Sequence, residues 1–443
     1  MDNLIKAVEK NRELILNAHE WLWKNPETGY REVKTSEYLE KEYEKLGYEV
    51  IKAGDIPGFY VKLDTGRPGP EVLILGELDS LICPNHKDAD PVTGAVHVCG
   101  HSAQSAALLG VAAALKEPGA LDGLSGKIRL CAVPAEELIE IEYRKELMNQ
   151  GKIKYFGGKA EFLHRGYFDG VDLAFMVHTN DGFYVLKGSV GCMAKKIMYK
   201  GTSAHAGANP WEGNNALYAA NQGLSAINAI RETFKESDCI RVHPIITHGG
   251  EAVNAIPELV TIESYVRGMS FEAMKEANKK VNRALCGGAL SLGTNIEIID
   301  MPGYTPHIND DNMIELSKKA AEVALPEEKF FVSDSYATGS TDMGDLSAIM
   351  PIVHPYVGGA KGKSHGDDYV IDNPELACVG SAKWQVVMLS MLLENGAEYA
   401  KKVIKEFKPR FSSKKEFLDY LDGINSAGER ITYNEDGTAT VRL

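Results

Sequence analysis

The run Val72-Leu73-Ile74-Leu75-Gly76, stopping at Glu77-Leu78-Asp79, does most to restrict how this chain can fold. It is short and apolar throughout, as a strand covered on both faces must be. Two further apolar runs behave alike. Ile128–Val133 stops at Pro134-Ala135-Glu136-Glu137, and Val171–Val177 stops at His178. Helical patterns alternate with them: 2–24, with Leu4, Val8, Ile15 and Leu22 on one face; Thr35–Leu46; and Ala103–Leu115. This order predicts an α/β domain with a central mixed, mostly parallel sheet flanked by helices. In such sheets, sites form where the strands stop, and here those ends carry acids and a histidine.

Beyond Gly182 the pattern changes. Strand Met193–Tyr199, helix Trp211–Phe234, strands Ile240–Thr247 and Leu259–Arg267, helix Phe271–Leu285 and strand Asn295–Ile299 give the order βαββαβ. That order suits a small ferredoxin-like α+β domain inserted at 188–302. The remainder, 1–187 and 303–443, is assigned to the larger domain, and 443 residues accommodate two cores.

The formal net charge is −14 and no Lys/Arg cluster stands out, which argues against a nucleic-acid partner. The seven cysteines are scattered without C-x-x-C, as expected in a reducing compartment. The start of the sequence has no secretory pattern and no apolar run reads as a membrane span, so the expectation is a cytoplasmic protein.

His97-Val98-Cys99-Gly100-His101-Ser102 places a thiol and an imidazole two residues apart around a glycine. Both can face one cation if the backbone turns sharply, which Gly100 permits. Alone, the triplet reads equally well as a buried cysteine beside a turn histidine.

The motifs in their order settle more. They are Lys24-Asn25-Pro26-Glu27-Thr28-Gly29, Gly76–Leu81, His97–His101, Pro134–Glu137, Val177-His178, Ser203-Ala204-His205-Ala206, Gly249–Pro257, Gly339–Met343 and Ser364-His365-Gly366. This series resembles the dinuclear-metal amidohydrolases related to aminoacylase and carboxypeptidase G, in the branch with auxin-conjugate and aminobenzoyl-glutamate hydrolases. The resemblance implies a zinc-peptidase-like catalytic domain with an inserted lid and dimerisation domain. It implies five metal ligands, Cys99, His101, Glu137, His178 and His365, around two divalent transition-metal ions. Thiolate, imidazole and carboxylate donors favour Zn or Mn, with Co or Ni as alternatives, over Mg or Ca. It also implies Glu136 as general base and His205, from a second copy of the chain in a homodimer, as oxyanion donor. Asn254 and Arg267 would bind substrate, and Asp79 and Asp342 would orient ligands from behind.

Two departures from the branch are visible. Ser102 stands where an acid or amide is usual, and Leu138–Arg144 follows the Glu-Glu pair where glycines are usual. Glu140 and Arg144 have the spacing of a surface i, i+4 ion pair; the alternative is a segment lining the pocket. The remaining histidines (19, 86, 97, 164, 243, 248, 307, 354) read as structural. Neither H-E-x-x-H nor G-x-S-x-G occurs, which removes the zincin and serine-hydrolase readings. The expected function is hydrolysis of N-acyl amino acids or related amides, at no membrane. The alternatives are a dipeptidase or carboxypeptidase, and a non-catalytic binding module, which the full ligand set disfavours.

Overall fold

A computed structural model describes all 443 residues and divides into two compact units. Unit 1 comprises 1–188, 307–336 and 341–414, and unit 2 comprises 189–306, 337–340 and 415–443.

Unit 1 is built on a six-stranded sheet in the order Ile51–Lys52, Phe59–Asp64, Lys127–Val133, Glu71–Glu77, Leu173–Phe175, Ile352–Val353. The last four strands in that order run parallel, and the first two pair antiparallel. Strand Glu71–Glu77 is buried at every position, as the apolar run Val72–Gly76 between its two terminal glutamates requires. Helix His101–Leu115 packs on it and is buried at all of its residues, because it is apolar on all sides. Helices Asp2–Lys10, Arg12–Lys24 and Ser381–Leu393 pack on that helix in turn.

Several elements differ from expectation. The helix expected over 2–24 breaks at Asn11, whose side-chain amide turns back to the Ala7 carbonyl at 2.9 Å. The strand expected over 171–177 ends at Phe175, and His178-Thr179 joins a second sheet beside Tyr356-Val357. The run Glu375–Leu393 is long and apolar enough by composition to cross a membrane, contrary to the sequence reading. Most of it is buried inside unit 1, so it acts as a core helix.

Unit 2 has an antiparallel sheet in the order Arg241-Val242, Leu259–Gly268, Gly191–Lys200, Asn295–Tyr304, Ser426–Glu429. Its first four positions give the ferredoxin-like order, with helices Ala216–Ile230 and Phe271–Ser291 packed on the sheet. Val260, Ile262, Ser264 and Val266 share the buried face. The helix expected from Trp211 starts only at Ala216, because the Asn215 side chain accepts from the Tyr218 N–H at 3.0 Å and caps it there. Residues 415–443, expected from the sequence in the larger domain, belong to unit 2. Its strand Ser426–Glu429 pairs with Asn295–Tyr304 and covers that sheet edge.

Two buried histidines of unit 1 bear on stability. Burial pushes His19 and His307 down to about 4 from 6.5, so both are neutral when folded. A depressed folded value means the unfolded chain takes up these protons first. The stabilising contribution is complete above about pH 6.5 and is lost as pH falls toward 4. Linkage gives a loss of about 2 kcal/mol per histidine between pH 7 and pH 5. Urea unfolding at the two pH values should show this fall, and His19→Gln should reduce it.

Candidate metal centre

The strand ends of unit 1 set the positions. After Glu77 the chain turns to Asp79, and after Val133 it turns through Ala135, at φ +56°, to Glu136 and Glu137. Gly100, at φ +87°, makes the turn that Cys99 and His101 need before the helix begins. His365 sits in the loop of the hairpin Ala360-Lys361/Val370-Ile371. Its N–H donates to the Val98 carbonyl at 2.9 Å, which ties that loop to the residue preceding Cys99.

Donor atoms therefore converge from five chain positions. One atom each of Cys99, His101 and His178 lie within 4.8 Å of one another, and so do those of Cys99, Glu137 and His365. Cys99 belongs to both groups. The second nitrogens orient the rings. His101 Nδ1 faces the Asp79 carbonyl at 2.9 Å and the Asp79 carboxylate at 3.1 Å, while His178 Nδ1 faces the Thr179 carbonyl at 2.8 Å. That leaves each Nε2 as the donor toward the centre. His101 Nε2 and Glu137 Oε1 are buried and have no hydrogen-bond partner. They come within 3.2 Å of Glu77 Oε2 and 3.3 Å of His365 Nε2, respectively, without hydrogen-bond alignment. Buried polar atoms with unmet demand, in a soft and borderline donor set, fit divalent transition-metal ions.

Burial opposes ionisation of Cys99, but His101 and His178 outweigh it and hold the thiol well below its usual range. Glu137 is pushed up to about 7 by burial and by the Cys99 charge. Glu136 is also raised, well above the usual carboxyl range, first by burial and then by the like charges of Glu77, Glu137 and Asp342.

A protein-family comparison matches residues 73–383, well over half of the chain, to the peptidase family M20/M25/M40. The chain belongs to that family. This M20/M25/M40 peptidase is 31% identical to a mouse Xaa-Arg dipeptidase over 278 residues, covering 61% of this chain and 58% of the relative. It is 28% identical over 312 residues to a p-aminobenzoyl-glutamate hydrolase chain of Escherichia coli, covering 65% and 66%. The match thus spans about three fifths to two thirds of these relatives' lengths. Among solved structures, a dinuclear metal-binding M20 peptidase from Bacillus subtilis superposes with a TM-score of 0.63 at 20% identity, covering 88% of this chain and 99% of that one.

In this M20/M25/M40 peptidase, the residues singled out from sequence fall into two sets. Cys99, His101, Glu136, Glu137, His178, His365, Asp79 and Asp342 lie in unit 1, and His205, Asn254 and Arg267 lie in unit 2. Asp79 holds His101 and also accepts from the Glu137 N–H at 2.8 Å. Asp342 contacts no ligand expected from sequence; its carboxylate accepts from the Lys159 N–H at 3.0 Å and from the Lys159 ammonium. In unit 2, His205 is exposed, and its Nδ1 accepts from the N–H groups of Gly207 and Ala208 at 3.2 and 3.0 Å. Its Nε2 therefore carries the proton. The Ala206 N–H donates to the Asn254 carbonyl, so these two motifs are neighbours. Arg267 pairs with no carboxylate: Nε donates to His243 Nε2 at 3.1 Å and Nη1 to Ser340 Oγ at 2.9 Å.

Sequence reasoning passed over two buried cations. Lys159 is fully buried and bridges Glu77, at 2.6 Å, and Asp342. The expected Glu140–Arg144 surface pair does not form. Arg144 is fully buried and donates to the carbonyls of Glu137 and Phe156, while Glu140 accepts from Thr28 and Arg31. The available signal was Gly157-Gly158 directly before Lys159: a side chain at Gly158 would overlap the Pro134 carbonyl.

Proposed function

We propose that this chain is a metal-dependent amidohydrolase that cleaves the amide bond between an acyl group and an amino acid. One observation carries the reading. Five donors from distant chain positions form two groups of three with Cys99 in common, and Glu136, which is outside the expected ligand set, clusters with His101 and Glu137, donor atoms within 4.8 Å of one another. Cys99, His101, Glu137, His178 and His365 would hold two divalent ions, Zn or Mn by donor chemistry. When bound, such a pair supplies Lewis acidity at the substrate carbonyl and lowers the pKa of a water to about 7. Glu136 then takes the water proton and returns it to the leaving amine.

The unit 2 residues suit the remaining roles. His205, with its proton on Nε2, is a donor for the developing oxyanion, contributed from a second copy in a homodimer. Arg267 offers an unneutralised guanidinium to a substrate α-carboxylate, and Asn254 an amide to the acyl carbonyl. The substrates in the two relatives' names, Xaa-Arg and p-aminobenzoyl-glutamate, share an amide whose amine side is an amino acid. None of the seven cysteines is in a disulfide, which supports a cytoplasmic setting.

The mouse relative favours a second reading, a dipeptidase requiring a free amino terminus. Metal-reconstituted protein assayed on acylated amino acids beside free dipeptides decides between them. The expected result is chelator-sensitive cleavage of the acylated substrates. Cleavage of free dipeptides alone would transfer the assignment to the second reading, and no cleavage of either would end both. Light scattering should give a dimer.

A further inference from the structure

We propose that Arg144 is a positioning residue that fixes the peptide carrying Glu136 and Glu137. This rests on the functional reading above. Both backbone polar groups of Glu137 lie past the strand end and have no ladder partner; buried charged side chains reach both, and the carbonyl also accepts from the Ile139 N–H at 2.9 Å. Its N–H donates to Asp79 at 2.8 Å, and its carbonyl accepts from Arg144 Nη2. Two residues earlier, the Ala135 N–H donates to the buried Glu32 carboxyl at 2.7 Å. Three anchors therefore define the turn, and Arg144 is the cationic one; its charge favours the ionised forms of Glu32 and Asp79.

The anchor is built by the segment that departs from the branch pattern. Helix Ile141–Asn149 carries Arg144, whose Nη1 donates to the Phe156 carbonyl at 2.7 Å and so closes the segment's far end. The near end is pinned at Glu140, held at φ +53°, which accepts from Thr28 Oγ1 at 2.5 Å. Arg31 lies 3.5 Å from the Tyr143 ring centroid and braces the helix from outside. Gly29 leaves the space: a Cβ there would overlap Arg144 Nη2 and lie 3.0 Å from Ala135 Cα. A guanidinium spanning two carbonyls in a dry site is rigid, and it fixes the direction of both glutamate side chains.

The test compares Arg144→Met and Arg144→Lys with the unaltered full chain. Arg144→Met should lower kcat by about 100-fold with KM within about threefold, as misplaced rather than missing catalytic groups do. Co2+ titration, read by thiolate-to-cobalt absorption, should show about tenfold weaker binding. Arg144→Lys keeps the charge and one donor, and should recover part of both losses. If Arg144→Met does not fold, Arg144→Gln, which keeps an amide donor without the charge, takes its place and should give the same signature. A folded variant with kcat and Co2+ affinity both within threefold of the unaltered chain would overturn the proposal. Absence of amide hydrolysis by the unaltered chain would sink the functional reading instead, and the Co2+ arm would still decide Arg144.

Discussion

Glu136→Gln should leave the protein folded and metal-loaded while lowering kcat by roughly 10³- to 10⁴-fold, the upper range for loss of a positioned acid–base group. Gln matches Glu in shape, and the five expected ligands do not include this side chain, so metal content should not change. In the metal-free protein, the same substitution should raise stability. The Glu136 carboxyl is buried and raised by Glu77, Glu137 and Asp342, so its ionised form costs folding energy. A raised carboxyl is tolerated at low pH, and its cost grows as pH rises. The gain in melting temperature should therefore be larger at pH 8 than at pH 5. Loss of turnover with a gain in stability is the pattern of a group kept for chemistry at the expense of the fold. Retention of most activity would remove Glu136 from its assigned role. A fall in both activity and melting temperature would make it a structural residue.

Both layers of the protein were legible where a residue's surroundings are set by its own element. Strand 71–77 is apolar at nearly every position, and its burial on both faces follows directly. The alternation over 259–267 likewise fixed which side chains enter the unit 2 core. The acids and the histidine at strand ends were legible because a parallel sheet gathers those ends on one side. The residues behind the centre were not. Arg144 and Lys159 sit in a helical pattern where cations ordinarily face water, and only long-range contacts bury them: Arg144 against Glu137 and Tyr30, Lys159 against Glu77 and Asp342. The tail failed for a related reason. Ser426–Glu429 has no apolar face of its own, and it is a strand only because Asn295–Tyr304 offers an open edge.

Lys159→Met should be the most damaging single change to stability outside the hydrophobic core. Met keeps the length and packing of the stem and removes only the ammonium. That ammonium lies 2.6 Å from Glu77 and closer still to Asp342, with every partner fully buried. Burial works against the lysine's charge, but Asp342, Glu77 and Glu136 outweigh it and keep Lys159 protonated. Without it, carboxyl oxygens of Glu77, Glu136 and Asp342 lie within 4.8 Å of one another and Asp342 loses its cationic partner, while His101 remains 3.2 Å from Glu77. Breaking a buried pair in this way costs about 3–5 kcal/mol, because the remaining charge is left uncompensated. The carboxyls of the variant would titrate above their unfolded values, so their contribution is retained at low pH and lost as pH rises. Denaturant unfolding should accordingly show a larger deficit at pH 8 than at pH 5. Adding Asp342→Asn removes one of the stranded charges and should recover part of the loss at pH 8, a coupling expected only of residues in contact. A Lys159→Met variant within about 1 kcal/mol of the unaltered chain at pH 8 would show that the three acids share protons among themselves and do not need the lysine.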